Sequence, residues 1–361
     1  NIYDYVASQN LFQQTSSIIT LVDYLKRIEQ VKTSAITGGL RSHGLQALYS
    51  LDEIKTLLPS LQTVLKSTKV KILIDELDKG WDNSEDAKFF IAGLFQATQK
   101  LNLISPNLRV YISIRQELFD NIPQIYEDAQ KIREDVEVIR WGRNELLELI
   151  GRRIAHSFPQ ATRLDAHKLW QSIFVAKMKS NQIETLDYII DRTQLRPREL
   201  LQFCKLCAER IEYSMAGRRI DEAAIAAAEE SYSEQKTRDL ASEYRFQYPH
   251  LLDVFEIFRG KRSHHTKEQL DYLLLAAVCG EYDVERAVDW VSDMDYLELK
   301  QILWKIGFLK AWVPRHTSRR TSLAGAYLGH YEVPTINLEN IERFRIHPAC
   351  TSFLHLKEPP L

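Results

Sequence analysis

Cysteine is scarce in this chain. Four in 361 residues, at positions 204, 207, 279 and 350, are too few and too scattered for a disulfide-stapled secreted fold. Their usage points to a reducing cytoplasm. No run of about 18 uninterrupted apolar residues occurs, so the sequence offers no membrane span. Charge of one sign is not in excess either: 47 Lys and Arg stand against 49 Asp and Glu, a net of −2, which excludes a strongly polybasic protein. With 13 glycines, 11 prolines and no repeat or low-complexity tract, collagenous and disordered classes are excluded as well. An initiator methionine and a signal-peptide pattern are also missing, since the chain opens on Asn1 and its three methionines lie far inside. The expectation is that something upstream is absent.

What is present is ordinary globular material, 45% hydrophobic and 27% charged, long enough for two or three domains. Apolar residues recur at helical spacing from Tyr3 to about Val31 and again from about Ser50 to Ser67, with the loop Thr37-Gly38-Gly39 between them. The period then changes. Val70-Lys71-Ile72-Leu73-Ile74 predicts a strand buried on both faces of a parallel sheet. Helical spacing returns from Ser84 to Leu101, Leu108 to Ile114 reads as a second strand, and strand, helix, strand within about 45 residues fits a βαβ crossover. A helical stretch from Gln116 to Arg133 and a third strand at Val136 to Arg140 complete an α/β region. Beyond Trp141 the pattern is helical, with helices expected at 144–157, 165–178, 183–191, 197–215 and 221–248. From Pro249 three helices, at 266–279, 284–291 and 296–306, precede Phe308 to Val313, an Arg-rich turn and a closing strand at Phe344-Arg345-Ile346. Three helices followed by a β-hairpin is the winged-helix pattern.

The chemistry concentrates in Ile72-Leu73-Ile74-Asp75-Glu76-Leu77-Asp78. A parallel strand delivers its last residues to the carboxyl edge of the sheet, where ligands of open α/β sheets bind. Asp75 there suits Mg²⁺ held through water, and Glu76 suits orienting and activating a water for attack on a γ-phosphate. The structural alternative is that the two acids open a solvated loop or cap the next helix. On the second strand, polar Ser113 interrupts an apolar run and Arg115 follows it. If the strands are neighbours, Ser113 stands near Glu76, and Arg115 supplies positive charge of the kind that phosphoryl transfer uses. The alternatives are a small residue satisfied by the backbone and a loop ion pair.

Taken in order, these segments resemble P-loop ATPases of the AAA+ and STAND/KAP kind. Ile72 to Glu76 looks like their Walker B strand, Ile112-Ser113-Ile114-Arg115 like sensor 1, and Trp141 to Leu146 like the entry to the helical lid. Leu195-Arg196-Pro197-Arg198-Glu199-Leu200 looks like the start of the sensor 2 helix, with Arg196 and Arg198 both candidates for reaching a nucleotide. The resemblance implies an α/β P-loop NTPase core over 1–141 with its N-terminal part missing, an all-helical lid over 142–248 and a winged helix over 249–361. It implies ATP and Mg²⁺ as cofactors, ATP hydrolysis, and a homo-oligomer acting as a switch or motor on a protein partner. The closing Phe344-Arg345-Ile346-His347-Pro348 further resembles a bacterial family of large P-loop ATPases linked in part to phage defence. One element departs from the pattern. No G-x-x-x-x-G-K-[ST] occurs, and Thr37 to Gly44 has glycines without the Lys-Ser/Thr, so the phosphate loop is expected before Asn1.

The competing reading is a nucleotide-independent winged-helix module that docks protein or DNA. Its nucleic-acid candidates are Arg315, Arg319 and Arg320 in the turn of the hairpin, set against acid-rich preceding helices that favour a protein partner over DNA. Cys204-Lys205-Leu206-Cys207 lies in a helical pattern with no second pair for zinc and reads as core thiols, and His264-His265 reads as a solvated loop before a helix cap.

Overall fold

A computed structural model describes residues 59–120 apart from 79, 80, 82 and 83, then residue 122 and residues 135–158, 164–211, 219–282, 289–314 and 325–359. The expected helix over 3–31, the glycine loop at 37–44 and the three arginines at 315, 319 and 320 lie outside the described residues. The chain divides into two compact units, Asn1–Val138 and Ile139–Leu361.

In the first unit β1 (Val70–Ile74) pairs in parallel with β2 (Leu108–Ile112), Ile72 opposite Val110 and Ile74 opposite Ile112. The connection is α1 (Glu85–Ile104), and α2 (Gln116–Asp120) follows β2. Helix α1 starts where Ser84 accepts a hydrogen bond from the Ala87 N–H at 3.2 Å, with Glu85 and Asp86 at the positive end of the helix dipole. Trp81, Ile91, Ala92, Leu118 and Ile122 form the buried core of this unit. The strand–helix–strand expectation is met, but two details differ. Strand β1 is not buried on both faces: Leu73 is 76% and Ile72 42% exposed, and β2 is its one strand neighbour among the described residues. The parallel sheet therefore has two strands among those residues, and a complete P-loop core is not seen in them. Val136 to Arg140 is irregular rather than a strand, and its apolar Val138 and Ile139 face outward, 51% and 83% exposed. Alternation without a neighbouring strand does not make a ladder.

The outer edge of β2 is closed by a side chain. The Asn102 Oδ1 accepts from the Val110 N–H at 2.7 Å and its Nδ2 donates to the Val110 carbonyl at 3.2 Å, standing in for a further strand.

Among the described residues the second unit begins with five helices, α3 (Arg143–Ser157), α4 (Ala166–Ile173), α5 (Thr185–Asp191), α6 (Pro197–Glu209) and α7 (Glu222–Glu243). Their apolar stripes meet in a core that includes Leu146, Ile189, Leu200, Phe203, Ile225 and Tyr232, with Phe203 and Tyr232 stacked at 4.4 Å. This is the helical region the sequence predicts. Helix α4 ends before Met178 because the chain there turns into a short bridge, the Ile220 N–H donating to Ile173 O at 2.7 Å and the Val175 N–H to Ile220 O at 2.9 Å.

The remainder comprises α8 (Leu251–Glu256), β3 (His264–Thr266), α9 (Lys267–Val278), α10 (Asp289–Ser292), α11 (Tyr296–Lys305), β4 (Leu309–Pro314), β5 (Gly325–Leu328) and β6 (Arg343–Ile346). The four strands form an antiparallel sheet in the order β3-β6-β4-β5. Its inner face rests on a second core, where Phe255 and Phe308 stack at 4.2 Å beside Leu299, Trp304 and Phe344. The expected helices over 266–279 and 296–306 are present and that over 284–291 lies mostly outside the described residues, whereas β5 (Gly325–Leu328), the hairpin partner of β4, is a strand not expected from the sequence. His264-His265 proves to be strand β3, with His265 buried, and the closing strand β6 inserts between β3 and β4.

Within this unit the helices and the sheet are joined by polar contacts. Gln194 Nε2 donates to the carbonyls of Ile306 and Gly307 at 3.1 and 3.2 Å. Gly307 holds φ at +81°, and a Cβ there would lie 2.2 Å from that same nitrogen, so both conformation and space require glycine.

Candidate functional site

The parallel register decides what gathers at the carboxyl edge of β1 and β2. Because Ile74 lies opposite Ile112, the residues that follow each strand, Asp75-Glu76 and Ser113, emerge at the same level. The Ser113 N–H donates to the Ile74 carbonyl at 2.8 Å, which extends the pairing one residue past β2. Asp75, Glu76, Ser113 and Arg115 are all exposed there. Glu76 has φ at +59°, a left-handed conformation that a β-carbon makes unfavourable, and its N–H donates to Asp75 Oδ1 at 2.9 Å. Backbone strain of this kind collects at functional sites.

Arg115 is not alone at the edge. Its Nε lies 2.8 Å from Asp78 Oδ2, so the guanidinium is tethered to the loop that follows β1. The loop ion pair weighed from sequence is thus real, and it lies inside the candidate site. Asp78 is the participant that sequence reasoning left without a role; its spacing three residues after Asp75 on the same loop was the available signal. The donor set at this edge is all carboxylate and hydroxyl oxygen, the chemistry Mg²⁺ prefers. Among the described residues no group of three or more His, Cys, Asp or Glu converges on one point. One or two carboxylates suffice where substrate phosphates complete the shell of the ion.

The two sensor 2 candidates belong to the second unit and have different surroundings. Proline at the first turn of α6 starts that helix without an orphaned N–H. Arg196 is held by Glu243, with its Nη1 at 3.0 Å from Oε2. Glu199 is buried, bonded to Lys236 Nζ at 2.5 Å and accepting from the Gln194 N–H at 2.6 Å. Arg198 points outward and makes no ion pair among the described residues. Of the pair, Arg198 is the one whose charge is uncommitted.

Cys204 and Cys207 sit on α6 with their thiols pushed upward by burial, Cys207 to about 12, which makes them inert core thiols rather than ligands. Helix α11, which precedes the hairpin, turns Glu298, Gln301 and Lys305 outward and is capped by Asp295. That face is no more basic than acidic and does not suit a DNA groove.

Residues 144–241 match the model of the FunZ-associated C-terminal helical domain. The match covers α3 to α7 almost completely, so the matched span takes in Arg196, Arg198 and the buried thiols. The chain is also similar to a putative transposon gamma-delta 80.3 kDa protein of Escherichia coli strain K12, with 26% identity over 326 residues. That alignment takes in 88% of this chain and 44% of the relative, so the chain spans less than half the length of the protein it matches. No solved structure matches it. Among the described residues no helix is long and apolar enough to cross a membrane.

Proposed function

We propose that this chain carries the Walker B and sensor 1 portion, the helical lid and a winged helix of an AAA+/STAND-type P-loop ATPase that works as an oligomeric switch or motor. The observation that supports this reading best is the in-register pairing of β1 and β2, which brings Asp75, Glu76, Asp78, Ser113 and Arg115 to one carboxyl edge. Bound ATP and Mg²⁺ supply the electrophilic phosphate and the charge that offsets its oxygens. Asp75 would hold the metal, directly or through water, and Glu76 would orient the attacking water and accept its proton. Ser113 would hydrogen-bond that water or the phosphate. Arg115, positioned by Asp78, would place positive charge where negative charge develops. Arg198, exposed at the start of α6, is the better candidate for a lid contact to nucleotide, since Arg196 is neutralised by Glu243.

Titration of the intact protein with a fluorescent ATP analogue, with and without Mg²⁺, tests this assignment. Asp75→Asn is expected to remove the Mg²⁺-dependent part of the affinity, about tenfold or more, while leaving the melting temperature unchanged. Equal Mg²⁺ dependence in both proteins would defeat it.

A second reading is a nucleotide-independent module that docks protein or nucleic acid. The buried polar joints inside the second unit favour it, because they make that unit a fixed body rather than a lid over a winged helix.

A further inference from the structure

We propose that the outer face of the β3-β6-β4-β5 sheet binds single-stranded nucleic acid, with Trp312 and Tyr327 as stacking surfaces and Arg343 as a phosphate contact. The alternation of the strands sets the two faces apart. Leu309, Ala311, Phe344 and Ile346 are buried in the core, while Lys310, Trp312, Arg343 and Arg345 belong to the opposite face. That face has two rows. In the row nearer the helices, Lys310 and Arg345 are each 3.1 Å from Asp191, and Glu332 and Glu358 stand at 3.7 and 3.4 Å, so the charges compensate one another.

The next row is different. Arg343 is exposed and has no ion pair among the described residues. Trp312 and Tyr327, opposite each other on β4 and β5, meet edge to face at 5.0 Å, and the Tyr327 ring also lies 5.0 Å from that of His264 on the far edge of the sheet. For side chains of the two outermost strands to touch, the sheet must curl, which makes this face concave. Gly325 keeps the Trp312 ring in place, since a Cβ there would be 2.5 Å from it. A partly exposed aromatic pair beside an uncompensated arginine fits bases that stack and phosphates that carry charge. Sequence adds the same sign: residues 315–324, which connect β4 to β5 and lie outside the described residues, contain three arginines and no acid.

A single strand suits this face better than a duplex. Rings on a sheet face can stack only on unpaired bases. The outward face of α11 begins at Asp295 and Glu298, which would repel a duplex backbone approaching that helix. The proposal does not depend on the nucleotide site, and its test contains no ATP.

Fluorescence anisotropy of a labelled oligothymidylate, with a duplex of equal length as the second arm, decides it across a salt series. The single strand is expected to bind more tightly than the duplex. Arg343→Gln should reduce the slope of log K against log salt by about 0.7, the share of one phosphate contact on a single strand. Tyr327→Leu should weaken binding about tenfold without changing that slope. Should Tyr327→Leu lower the melting temperature, Arg343→Gln, an exposed change, still carries the test. Absence of binding at low salt, a preference for the duplex, or an unchanged slope in Arg343→Gln would each overturn the proposal.

Discussion

His347 is a buried imidazole whose tautomer its neighbours fix. Its Nδ1 accepts from the Ala349 N–H at 3.2 Å, so the proton sits on Nε2, which faces the Tyr331 hydroxyl at 3.0 Å. Burial holds its proton affinity well below the ordinary value of 6.5, with Lys310, Lys236 and Arg345 acting in the same direction and Asp191 opposing them. The unfolded chain therefore binds a proton that the folded chain refuses. Stability from this group is complete above about pH 6.5 and declines as the pH falls, by about 1.4 kcal/mol per pH unit while one proton separates the two states. His264 and His265 are lowered for the same first reason, burial, and contribute in the same direction. Asp191, held down to about 2 by Lys310 and Arg345 against its own desolvation, adds a separate loss only in stronger acid. Urea unfolding at pH 7.5, 6.5 and 5.5 should show the free energy of the second unit changing little over the first step and falling over the second. A profile level over that interval would contradict the buried neutral imidazole.

At the scale of elements, α6 and α7 are joined by Glu199 and Lys236, both buried. Lys236→Met leaves a buried carboxylate without its cation and is expected to cost about 3–5 kcal/mol. Adding Glu199→Gln, which keeps an acceptor for the Gln194 N–H, should recover most of that loss. A single-variant cost below about 1 kcal/mol, read from urea midpoints, would show that the pair is not the joint described. Elements of this kind were unequally legible. Strands β1 and β2 were visible because a continuous apolar run with a helix between two such runs has few other solutions. Strand β3 was not, since three residues owe their conformation to β6, some 80 positions later in the chain. Val136 to Arg140 misled for the converse reason: it has the alternation of a strand and no neighbour among the described residues. The choice between Arg196 and Arg198 was equally undecidable from spacing, because the acid that claims Arg196 is Glu243, on another helix. The site edge was legible in Asp75, Glu76, Ser113 and Arg115; the tether from Asp78 to Arg115 required the register of the strands.

For the whole molecule, the division at Val138 and Ile139 separates an edge that gathers Asp75, Glu76, Ser113 and Arg115 from a unit whose helices and sheet are joined by the ion pairs of Asp191 with Lys310 and Arg345. On the proposed reading the first unit carries the chemistry and the second a binding face. The most direct measurement is steady-state ATP turnover by the intact protein beside its Glu76→Gln variant. The account predicts that turnover falls by a factor of about 10² or more, the usual contribution of a general base, while ATP binding persists. Hydrolysis at the wild-type rate in Glu76→Gln would contradict it.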